Sequence, residues 1–73
     1  MPKVPRISGT EAIRTFEKLG FEKVRQRGSH VILRRGSLGC VVPQHRELKV
    51  GTLLGALRQA HVSLDEFLHA MNR

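Results

Sequence analysis

Two glycine-bearing breaks, at Gly28-Ser29 and at residues 36–39, cut the middle of this chain into three segments too short for helices. Residues 21–27 carry Phe21 and Val24 among charges, residues 30–35 centre on Val31, Ile32 and Leu33, and residues 40–42 are wholly apolar before Pro43. Short apolar runs bounded by Gly and Pro are strand signals. Connections this brief allow only antiparallel pairing, because a parallel crossover needs a dozen residues or more. The pattern predicts a three-stranded antiparallel meander whose first strand is exposed on one side.

Helices are expected on either side of it. Ser8 and Glu11 have the Ser-x-x-Glu spacing of a capping box, in which each side chain satisfies the other's backbone N–H. Ala12, Ile13, Phe16 and Leu19 follow at helical spacing, and Gly20 supplies the stop. Before this helix, residues 1–7 contain Pro2 and Pro5 and fit an extended lead-in. After the strands, residues 44–50 are polar and predict a loop. Helical spacing resumes at Gly51 or Thr52, with Leu53, Leu54, Leu57 and Ala60 on one face. Ser63 and Glu66 repeat the capping signature and open a short last helix carrying Leu64, Phe67, Leu68 and Met71. The expected fold class is α+β: a small sheet with helices on one face and the other face open.

The 73 residues suit one small domain, taken as residues 1–73. A domain of this size buries only about 60% of its unfolded surface, so a partner or a homo-oligomer is an expected source of further burial. Cys40 has no partner for an internal disulfide and sits in an apolar run, as a small buried hydrophobe does. Residues 1–20 lack the apolar core of a signal peptide and no stretch approaches membrane-spanning length, so the expectation is a cytoplasmic protein without membrane contact.

Charge points to function. The net charge is +7, with nine Lys and Arg against three Glu in residues 1–39 and four against three acids in residues 40–73. One-sided basicity of this kind fits a polyanion, with a basic surface kept for solubility as the plainer alternative. Within the basic half, residues 23–35 hold Lys23, Arg25, Arg27, Arg34 and Arg35, no acid, and His30 directly after Gly28-Ser29. Histidine titrates near neutral pH, so a neutral imidazole can take a proton while cations beside it hold phosphate oxygens. That combination suits phosphodiester chemistry.

The ordered set Ser8-Gly9-x-Glu11, Leu19-Gly20-Phe21, Arg25-Gln26-x-Gly28-Ser29-His30, Val42-Pro43-x-His45, Gly51-Thr52-Leu53 and Leu57-Arg58-Gln59-Ala60 resembles the HicA toxins of toxin–antitoxin pairs. Gly-Ser-His alone is common; the set in order, over nearly the full length, is specific. The resemblance implies a fold like that of a double-stranded-RNA-binding domain, activity as an mRNA interferase (an endoribonuclease acting on mRNA), and a HicB-type antitoxin partner. It places the family's catalytic histidine on His30. The helix after Ala60 is an extension whose role it leaves open.

A metal-free ribonuclease needs a base for the ribose 2′-OH, positive charge for the developing phosphorane and an acid for the leaving 5′-oxygen. His30 fits the base, and help of this kind is worth about 10²–10⁴-fold. Lys23, Arg25, Arg27, Arg34 and Arg35 are the candidate RNA-binding cations. Gly28 permits a tight turn and Ser29 can orient His30 or donate to a phosphate oxygen. His45, in the loop after Pro43, is a candidate acid, but a plain role in binding RNA or the antitoxin is the preferred reading; water or protonated His30 can also serve. His61 and His69 are expected in helices, with structural or solvent-exposed roles. No cofactor is expected, and no metal: no His-x-x-x-His or paired-Cys spacing occurs, and no acids pair at ligand spacing on the strands.

Two other classes compete. A non-catalytic RNA-binding module would share the fold and the charge, and only His30 separates it from an enzyme. Base stacking has little to work with, since there is no Trp or Tyr and the three Phe fall in apolar patterns. A DNA-binding helix-turn-helix over residues 51–71 is disfavoured because that half is nearly neutral and its helices spend their apolar faces on a core.

Overall fold

A computed structural model describes residues 3–73. Of the extended lead-in, Met1 and Pro2 lie outside the described residues; residues 3–7 form neither helix nor strand. The order is helix α1 (Gly9–Lys18), strands β1 (Glu22–Arg27), β2 (His30–Arg35) and β3 (Leu38–Pro43), then helices α2 (Val50–Ala60) and α3 (Leu64–Met71). The sheet runs β1-β2-β3, antiparallel throughout, as the short connections require.

Both capping boxes form. Ser8 Oγ accepts from Glu11 N at 3.1 Å while Ser8 N donates to Glu11 Oε1 at 3.2 Å. Ser63 and Glu66 repeat this at α3 with 3.0 and 3.1 Å. The backbone hydrogen bond from Ser63 is the main reason the exposed Glu66 carboxyl titrates below its ordinary range. α1 ends at Leu19, and Gly20 takes the left-handed φ of 93° that lets the chain turn into β1.

The second break is shorter than the sequence pattern implies. Only Gly36 and Ser37 form the turn; Leu38 and Gly39 belong to β3 and pair with Arg35 and Arg34. Both hairpins are thus two-residue turns with Gly first, at φ 58° for Gly28 and 60° for Gly36, followed by a serine without positive φ. This is the type II′ pattern, whose twist matches that of the flanking strands.

The helices lie on one side of the sheet, α1 and α2 against the strands and α3 against α1 and α2. Side chains alternate along a strand, and Val31, Leu33, Cys40 and Val42 form the buried row. Phe16 of α1 sits at the centre, fully buried, with its ring edge-on to Phe21 at 5.4 Å and to Phe67 of α3 at 5.3 Å. α2 commits Leu53, Ala56, Leu57 and Ala60 to the same core. His61 is not inside a helix. It caps α2 in the left-handed conformation at φ 56°.

Residues 44–49 are loop, one residue short of the expected 44–50 because Val50 already opens α2, and they are tied down. Gly9 N donates to the His45 carbonyl at 2.8 Å, Leu48 N donates to the Ile7 carbonyl at 2.8 Å, and Leu48 itself is buried. No helix among the described residues is long and apolar enough to cross a membrane.

Candidate nucleic-acid interface

The face opposite the helices is set by register. In β2, Val31 and Leu33 point into the core, so His30, Ile32 and Arg34 point away from it. Across the β2–β3 ladder His30 pairs with Pro43, Ile32 with Val41 and Arg34 with Gly39. Across the β1–β2 ladder His30 pairs with Arg27, Ile32 with Arg25 and Arg34 with Glu22. Directly opposed residues share a face with Cβ atoms about 4.5–5.5 Å apart. His30, Arg27, Arg25 and Arg34 therefore stand together on the open face, all exposed, around Ile32 and the exposed Val41.

A β-bulge makes this grouping. The β1–β2 register shifts between Lys23 and Arg25, leaving Val24 unpaired and 52% exposed. Continued without the shift, the register that starts at Glu22 would turn Arg25 and Arg27 toward the helices and Gln26 away from them. The extra residue lets Phe21, just before the strand, be buried while β1 finishes with two arginines beside His30.

The other two predicted cations fall elsewhere. Lys23 pairs with Leu33 and so lies on the helix side of the outermost strand. Arg35 lies on that side too. Its guanidinium donates to the Leu19 carbonyl at 2.6 Å, covers the Phe21 ring at 4.7 Å and acts favourably on the Glu66 carboxylate. Arg35 is spent on tying the end of β2 to the end of α1. On the open face Arg34 has Glu22 opposite it, whereas Arg25 and Arg27 face no acid across the ladder.

Gly28 and Ser29 form the turn that delivers His30 as the first residue of β2. Ser29 contributes its carbonyl, which accepts from Gln44 N at 2.7 Å. His45 follows Gln44 on the exposed loop, where its backbone carbonyl holds the start of α1 through Gly9. Two residues absent from the sequence-based site also gather at this turn. The Gln26 side-chain amide donates to the Gly28 carbonyl at 3.0 Å and to Gln44 Oε1 at 2.9 Å. Only a register could have found them, because Gln26 and Gln44 are 18 residues apart.

His30 and the arginines around it are exposed on the sheet face. A concavity of about 480 Å³ lies at the other side of the molecule, lined by Leu19, Asp65, Glu66, His69, Ala70 and Arg73. Among the described residues no three His, Cys, Asp or Glu side chains come together as a metal-ligand set.

A family model for the HicA toxin of bacterial toxin–antitoxin pairs matches residues 9–62, from the start of α1 past the cap of α2. The chain belongs to the HicA toxin family. No curated protein matches it. The matched span contains the whole sheet, the bulge and His30, so every residue of the open face lies within the HicA match. α3 lies beyond it, yet supplies Phe67 to the core of this HicA toxin.

Proposed function

We propose that this HicA toxin is an endoribonuclease that cuts mRNA on its open sheet face with His30 as general base, and that a HicB-type antitoxin silences it by covering that face. The observation that carries the reading is the register: His30 shares an exposed face with Arg25, Arg27 and Arg34, away from all three helices. A broad basic face suits an extended polyanion better than a small substrate, which would need enclosure.

In this scheme the His30 imidazole takes the proton of a ribose 2′-OH. The 2′-oxygen bonds to phosphorus, the bond from phosphorus to the 5′-oxygen breaks, and the leaving oxygen takes a proton from water. The products are a 2′,3′-cyclic phosphate and a 5′-hydroxyl. Arg27, the cross-strand neighbour of His30, meets the charge that develops on the phosphoryl oxygens, while Arg25 and Arg34 hold phosphates along the strand. Lys23 and Arg35, on the helix side, take no part. His45 serves binding and not proton transfer. The antitoxin is expected to bring acidic residues to the same arginines, since most of the net charge lies in the first half of the chain.

The test is cleavage of a defined RNA in EDTA by wild type and by His30→Ala, with the ends of the fragments identified. Wild type is expected to cut and leave cyclic phosphates, and the variant to lose about 10²-fold or more in rate. Equal cutting by both removes His30 from the mechanism. RNA binding by both without cutting replaces the enzyme with a non-catalytic RNA-binding module.

A further inference from the structure

We infer that Gln26 is a positioning residue for His30: its amide, bonded to Gly28 and Gln44 on the helix side of the sheet, braces the turn that presents the imidazole on the other side. The inference rests on His30 being the base of the proposed nuclease, although the brace itself can be tested without activity.

The geometry is specific. Gln26 pairs with Val31, so its side chain leaves the sheet on the face opposite His30. The Gly28 carbonyl can only accept, which fixes the Gln26 NH₂ group toward it and leaves the second N–H for Gln44 Oε1. Gln44 then returns its own backbone N–H to the Ser29 carbonyl at 2.7 Å. One side-chain amide on β1 is thereby joined, across the end of β2, to the chain leaving β3. The two residues inside this ring are Gly28 and Ser29, and His30 comes next.

The turn has no packing to support it. Gly28 is at φ 58° with nothing within 4 Å of the position a Cβ would take, and both Gly28 and Ser29 are exposed. Hydrogen bonds hold this turn. Small displacements of a catalytic group matter, since about 1 Å of misplacement can cost 10²-fold. The bonds are exposed and neutral, so their loss should fall on the aim of His30 more than on folding.

The experiment compares wild type with Gln26→Met, which keeps length and bulk but has no donors, and with Gln44→Met and the double variant. The readouts are kcat and KM for RNA cleavage below the unfolding transition, and the hydrogen-exchange rate of the Gln44 amide by NMR. Gln26→Met is expected to lower kcat about tenfold with KM held within about twofold. The double variant should be no worse than Gln26→Met, as for residues acting through one network. The Gln44 amide should exchange faster in Gln26→Met while that of Leu33, inside the ladder, is unchanged. Unchanged kcat, or a fall explained by partial unfolding, overturns the positioning role. Unchanged Gln44 exchange overturns the brace itself. If His30→Ala cuts like wild type, the nuclease reading fails separately, and the exchange rate still decides whether Gln26 holds the turn.

Discussion

Cys40 shows how burial sets the chemistry of a single side chain. It lies in the buried row of β3, 3% exposed, and loss of hydration pushes its thiol from 9.0 up to about 11. The thiolate is the reactive form, so Cys40 should react with a disulfide reagent at neutral pH only as fast as the protein opens. Unfolding in urea should release one thiol at once, and prompt reaction in native buffer would contradict the packing. The same shift makes stability depend on pH. The unfolded thiol ionises near 9.0 while the folded one stays neutral, so the contribution is complete below pH 9.0 and is lost as pH rises through about 11. Urea midpoints measured from pH 8 to 11 should fall, and Cys40→Ala should flatten that part of the fall.

At the scale of elements, the start of α1 is decided by a close approach. A Cβ on Gly9 would overlap the Pro43 carbonyl oxygen and come within 2.8 Å of the Gln44 Cα, both of them backbone atoms with little room to yield. Alanine normally improves a helix, but here overpacking dominates, and Gly9→Ala should cost about 1–3 kcal/mol. Gly55, in the interior of α2, is the matching control. Nothing lies within 4 Å of its added Cβ, so Gly55→Ala should stabilise by about 0.5–1 kcal/mol. Urea unfolding of the two variants checks both signs. A stabilised Gly9→Ala would mean that α1 does not seat on the end of β3.

Across the whole molecule the sheet separates two kinds of arginine. Arg25, Arg27 and Arg34 stand on the open face, whereas Arg35 is bonded to Leu19 and stacked on Phe21. If RNA lies on the open face, removing one phosphate-binding cation should reduce the slope of log affinity against log salt by about 0.7–0.9. Arg25→Ala and Arg27→Ala should each do so and leave the unfolding midpoint nearly unchanged. Arg35→Ala should do the reverse, lowering stability with little effect on the salt slope. Arg58→Ala, on α2, should leave the slope as it is, and a reduction there comparable to that of Arg27→Ala would move the binding surface to the helices.

Local chemistry made much of this protein legible in its sequence. Capping boxes are contacts over three residues, turn glycines are required by φ alone, and helical periodicity marks Phe16 and Leu53 for the core without knowledge of what they meet. The order of elements and the antiparallel sheet follow from such short-range facts. Register does not. The break at residues 36–39 resolves into a two-residue turn only because Leu38 and Gly39 find partners on β2. Whether His30 faces the core or the solvent depends on which residues oppose it, and composition is the same in either case. The bulge at Val24 satisfies a buried Phe21 at one end of β1 and aims Arg25 and Arg27 at the other, a compromise that exists only once the strand pairs and the helices cover one face. Arg34 and Arg35 are adjacent in the chain and alike in charge, and they were separated by the two-residue period of a strand.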